Sequence, residues 1–89
     1  MKCCAAPAIV RRLVRQWFTE TGLRPEAINS GSCYSFAQCL IHALPDSRLI
    51  WSDKYDHAYV RYRGRLYDAE APRGVRDYRS LPCIKRQKI

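Results

Sequence analysis

A chain of 89 residues is long enough for one hydrophobic core and too short for two, so a single domain over residues 1–89 is expected and a deep, multi-lobed cleft is excluded. Sixteen Lys and Arg against eight Asp and Glu give a net charge of +8, with Arg well ahead of Lys; planar guanidinium forks suit an acidic protein, an anionic substrate or nucleic acid. Five cysteines, odd in number and nowhere spaced as C-x-x-C, argue against a disulfide framework, and no apolar run reads as a signal peptide or membrane span, so a reducing cytoplasm is the expected compartment.

Cys3 and Cys4, a terminal pair of thiols, read as a frayed end. From residue 7 to residue 20, Ile9, Val10, Leu13, Val14, Trp17 and Phe18 fall at helical spacing while Arg11, Arg12 and Arg15 take the other face. Pro7 suits the first turn of that helix and Gly22 its end. Residues 23–30 contain Pro25 and Asn29 and read as a connecting loop. A second helix begins near Ser32, carries Phe36, Ala37, Leu40, Ile41 and Leu44 on one face, and stops at Pro45.

The period then changes. Leu49, Ile50 and Trp51 form a short apolar run, and Ala58, Val60 and Tyr62 alternate with His57, Tyr59 and Arg61. Arg63 and Gly64 make a plausible tight turn, after which residues 65–69 return as a strand. A two-residue turn pairs Tyr59 with Asp68 and His57 with Glu70 and puts all four on one face; a three-residue turn would reverse the facing. Beyond Pro72 the periodicity fades towards a basic tail at residues 85–88. The expected class is α+β, two N-terminal helices packed on a small antiparallel sheet.

Cys33 stands at the predicted start of the second helix, where unpaired N–H groups and the helix dipole favour a thiolate. Its surroundings, Gly31-Ser32-Cys33-Tyr34-Ser35-Phe36-Ala37, resemble the segment around the nucleophile of papain-like cysteine peptidases. The stretch from Asp56-His57-Ala58 to Gly64 resembles the strand carrying the catalytic His in that clan, and Tyr67-Asp68-Ala69-Glu70-Ala71-Pro72 is similar to the Asp strand of transglutaminase-like proteins. The resemblance implies a minimal papain-like/transglutaminase-like core with Cys33, His57 and Asp68 as a catalytic triad. Glu70 is the alternative third residue, which the idealised register favours, and Asn29 is the amide nearest to Cys33 for an oxyanion hole. His42, nine residues from Cys33 on one helix, cannot reach it. Cys39 and Cys83 read as structural or incidental, and Trp17 and Trp51 as core aromatics, with a place lining the cleft as the alternative for Trp51. Cys33, His57 and Asp68 are also metal-ligand types, but without paired ligand spacing no metal and no cofactor are expected.

Two functions follow. The first is a thiol-dependent hydrolase or acyl transferase acting on an amide of a peptide or protein substrate, with Arg61, Arg63, Arg65, Arg73 and Arg76 drawing an acidic partner to the site. The alternative is a catalytically silent, small basic binding or inhibitor protein of phage or mobile-element type, engaging an acidic protein or, less favoured, nucleic acid.

Overall fold

The apolar stripe of the first segment folds into α1 (Ala6–Thr21) in the computed structural model, which describes residues 5–87. Gly22 closes the helix with φ 78°, its N–H donating to the carbonyl of Phe18 at 2.8 Å, the left-handed cap that glycine adopts without steric cost. Cys3, Cys4 and Lys88 lie outside the described residues.

The segment read as a connecting loop contains a short helix, α2 (Pro25–Gly31). Pro25 does not break it because it sits in the first turn, where its missing N–H would have no helical partner. Asn29 does not break it either, because its side chain is turned inwards to a carboxylate and not back onto its own backbone. The next helix, α3 (Cys33–Ala43), follows at once with Ser32 as N-cap, and buries Cys33, Phe36, Ala37 and Leu40. The sequence therefore places three helices, not two, ahead of the sheet.

The sheet is an antiparallel meander of β1 (Arg48–Ser52), β2 (His57–Tyr62) and β3 (Arg65–Tyr67) in the order β1-β2-β3. Arg63 and Gly64 both have positive φ, 51° and 78°, the conformation of a two-residue type I′ hairpin turn. That turn sets the β2–β3 register to Val60 opposite Tyr67 and Tyr62 opposite Arg65.

Alternation along β2 divides the core in two. Ala58 and Val60 face α1 and α3 and join Val10, Ile28, Phe36, Leu40 and Tyr67 in the larger cluster. Tyr59, on the opposite face, packs with Ala71, Leu81 and Ile84. That second layer comes from the segment expected to be an irregular tail, which instead forms a 3₁₀ turn at Tyr78–Ser80 and a short helix, α4 (Pro82–Gln87). Cys83 is thus a buried helical residue. Trp17 packs edge-on against Phe36, their centroids 5.8 Å apart. Trp51 is not a core aromatic: it is 45% exposed at the end of β1, edge-on to Tyr34. The architecture is α+β, with helices and a three-stranded antiparallel sheet. No helix among the described residues is long and apolar enough to cross a membrane.

Candidate functional site

Strand pairing brings the polar residues singled out above towards one another. His57 opens β2 and Asp68 follows the last residue of β3; carried on by one residue, the register sets Asp68 opposite Tyr59, two residues along β2 from His57 and on the same face. His57 Nε2 and Asp68 Oδ2 are 2.8 Å apart, with side chains 0% and 2% exposed. Asp68 Oδ1 also accepts the N–H of Glu70 at 2.9 Å, so both carboxylate oxygens are engaged. A carboxylate takes a proton-bearing nitrogen, so it selects the Nε2–H tautomer of a neutral His57 and leaves Nδ1 as a bare acceptor. Nδ1 is buried and has no hydrogen-bond partner among the described residues.

Glu70 does not reach His57 by hydrogen bond. The strand ends at Tyr67, so the idealised register is not carried on to residue 70. Its carboxylate instead accepts from Asn29 Nδ2 at 2.9 Å and takes a two-pronged contact from Arg86, Nη1 and Nη2 each at 2.8 Å. The Arg86 hydrogen bonds hold the Glu70 carboxyl below its ordinary range, against an opposing push from burial. The same contact raises Arg86. Asn29 is 5% exposed, with one amide hydrogen bound to Glu70 and its Oδ1 unpartnered among the described residues. No periodicity in the sequence points to Arg86, which lies on α4, a helix of six residues.

Cys33 is the first residue of α3 and is 9% exposed. It packs into the larger apolar cluster, and among the described residues no side-chain hydrogen bond joins its thiol to His57. His42 and Cys39 are exposed on the same helix. Burial raises the Cys83 thiol, which lies 3.8 Å from the backbone oxygen of Asn29. Among the described residues, no group of three or more His, Cys, Asp or Glu side chains could hold a metal ion.

The five arginines singled out for a partner gather around the hairpin and the segment after it. Arg61 and Arg76 line one groove with Tyr59 and Tyr78, and Arg61 also faces Arg48 and Arg63 across a neighbouring depression. Arg63, Arg65 and Arg73 line a third hollow beside Tyr67. Arg61, Arg63, Arg73 and Arg76 are exposed, and Arg65 is half-buried with a 3.4 Å contact to the backbone oxygen of Gly74.

No curated protein and no solved structure matches the chain. A family described as Phage YunG-like protein does, over residues 10–85. This match overturns the resemblance to papain-like and transglutaminase-like enzymes, and with it the description of the protein as a cysteine hydrolase with a catalytic triad. The strings behind that resemblance have local explanations in the fold. Gly31-Ser32 is the junction between α2 and α3, Cys33 and Phe36 are core positions of α3, and His57 to Tyr62 is the alternation of a strand covered on both faces. The match spans most of the chain and nearly every element described above, and the protein belongs to the Phage YunG-like family.

Proposed function

We propose that the protein acts by binding, as a small basic phage-type protein whose arginines engage an acidic partner protein, while the buried His57–Asp68 pair serves the framework. The observation that supports this reading is a set of exposed guanidinium groups with no carboxylate of their own. Arg48 and Arg61 stand directly opposite each other on β1 and β2, the cross-strand position at which like charges destabilise a sheet. Both are exposed, and neither takes part in an ion pair among the described residues. Asp46 lines the same depression as Arg48, Arg61 and Arg63 without pairing with any of them. Carboxylates of a partner would relieve that repulsion and would be met by forks built for bidentate contact.

A fluorescein-labelled polyglutamate peptide, followed by anisotropy, tests the reading. Arg48→Glu/Arg61→Glu/Arg63→Glu should weaken its binding at least tenfold, whereas Cys33→Ala should leave it within twofold. Equal binding by wild type and the triple variant would remove the assignment.

Direct nucleic-acid binding is a second reading. Tyr78 is 41% exposed beside Arg61 and Arg76, with the Arg79 guanidinium 5.9 Å from its ring centroid. Such a ring beside cations is a surface on which a base can stack. Tighter binding of a single-stranded oligonucleotide than of polyglutamate, falling steeply with salt and lost in Tyr78→Ala, would decide for nucleic acid.

A further inference from the structure

The apolar face of helix α1 is wider than the part packed against the core. Ile9, Leu13, Val14 and Trp17 pack against the larger core cluster. Phe18, next along the same stripe, is 50% exposed. It stands at the wall of an open groove of about 710 Å³ between α1, the start of α2 and residues 69–72. Val14, Phe18, Pro25, Pro72 and Pro82 supply much of its lining.

Around those apolar groups stand Arg11, Arg15 and Arg24. Arg11 and Arg15 make no ion pair among the described residues, and the Arg24 guanidinium lies 6.0 Å from the Phe18 ring centroid. Two carboxylates also reach the groove, Glu26 and Glu70. Glu70 is already matched by Arg86, so the net character of the rim is positive.

Residues 11, 14, 15 and 18 follow i, i+3, i+4, i+7 spacing, a single strip of one helix that presents two cations beside two apolar side chains. The prolines decide what can lie against that strip. Pro25, Pro72 and Pro82 carry no N–H, so those walls cannot support an added β-strand, whose affinity rests on main-chain hydrogen bonds. An occupant must satisfy its own backbone, as a helix does, and offer apolar side chains to the floor with carboxylates to the rim.

We propose that this groove is a docking site for an amphipathic acidic helix of a partner protein. The proposal rests on the reading of the protein as a binding module but uses none of the hairpin arginines that support that reading, so the two fail separately.

The test is selection from a displayed library of random 16-residue peptides on the intact protein, followed by anisotropy with the enriched peptides. Enriched sequences should combine Asp or Glu with apolar residues at i, i+3, i+4 and i+7. They should lose at least tenfold in affinity against Phe18→Ala and against Arg15→Glu, and change less than twofold against Arg61→Glu. Both groove positions are exposed, and matching thermal unfolding of the variants guards against misfolding. Enrichment of peptides without acidic residues or helical spacing, equal binding to the groove variants, or no enrichment over an uncoated surface would each overturn the proposal. So would self-association of the protein abolished by Phe18→Ala, which would give the groove to a second copy. Any of these outcomes leaves the polyglutamate experiment with the hairpin arginines standing on its own result.

Discussion

At the scale of single residues, the His57–Asp68 contact is the most exacting feature, because both side chains are essentially sealed from water. Removing one partner of a buried hydrogen-bonded pair leaves the other unsatisfied, at a cost of about 1–3 kcal/mol. Asp68→Ala is expected to fall in that range by urea denaturation, a large share of the ~5–10 kcal/mol available to a small domain. Asp68→Asn should lose clearly less: the amide can serve both His57 and the Glu70 N–H once His57 takes the other tautomer. Equal losses in the two variants would show that the hydrogen bonds contribute little. Glu70 behaves differently because Arg86 is half exposed. Its carboxyl is held below its ordinary value of 4.5 in the folded protein, so the unfolded chain binds the proton more readily. The stability that the contact adds is therefore present above that value and disappears as the pH falls through the lower, folded value. Water screening keeps this to under about 1 kcal/mol. Glu70→Gln should flatten the acid side of a stability–pH curve and leave its neutral side slightly lower.

At the scale of elements, two turns fix how the sheet is flanked. The first joins β2 to β3, and its type follows from Arg63-Gly64. The second docks residues 74–76 against β3, where Leu66 and Val75 exchange backbone hydrogen bonds of 2.7 and 2.9 Å. Gly74 immediately precedes that bridge with φ 80°, and a Cβ there would come within 2.8 Å of the Tyr67 ring. Tyr67 is 1% exposed and closely surrounded. Gly74→Ala therefore combines an unfavourable φ with overpacking, and should lower stability by about 2–4 kcal/mol. Gly22→Ala has a similar φ but open space around the added carbon, and should cost about 1 kcal/mol. Thermal unfolding of both variants separates the two contributions; equal shifts would mean that the Tyr67 contact yields freely. The same scale shows what the sequence pattern conceals. Helices α1 and α3 and the alternation of β2 are long enough for periodicity to declare them. Helices α2 and α4 span seven and six residues, too few for a stripe to repeat, and each begins on a proline that reads as a breaker when its neighbours are not known.

For the whole molecule, the outcome of the polyglutamate experiment follows from where charge is left unbalanced. A net charge of +8 attracts any polyanion, and added salt weakens that attraction wherever the charges stand. Local reversal is what distinguishes a surface from a cloud. The substitution of Arg48, Arg61 and Arg63 removes one cluster while Arg11, Arg15 and Arg24 remain, and the groove variants do the converse. The protein offers two chemically different surfaces, one of closely opposed guanidinium groups at the hairpin and one of apolar residues rimmed by arginine along α1.

Much was determined by local order in the chain. The apolar faces of α1 and α3, the two-residue turn and its register, the α+β class and the shared face of His57 and Asp68 all depend on spacing and turn chemistry within about a dozen residues, which the sequence carries directly. Other features depend on contacts between residues far apart in the chain. Asn29 and Glu70 are separated by 41 positions, and Arg86 reaches Glu70 across 16; no periodicity reports either. Whether Cys33 joins an apolar cluster or faces a base depends on how α3 packs across β2. Short motifs around Cys33 and His57 were thus legible as helix start and strand, while their chemistry was not, because a side chain's partners are chosen by tertiary packing.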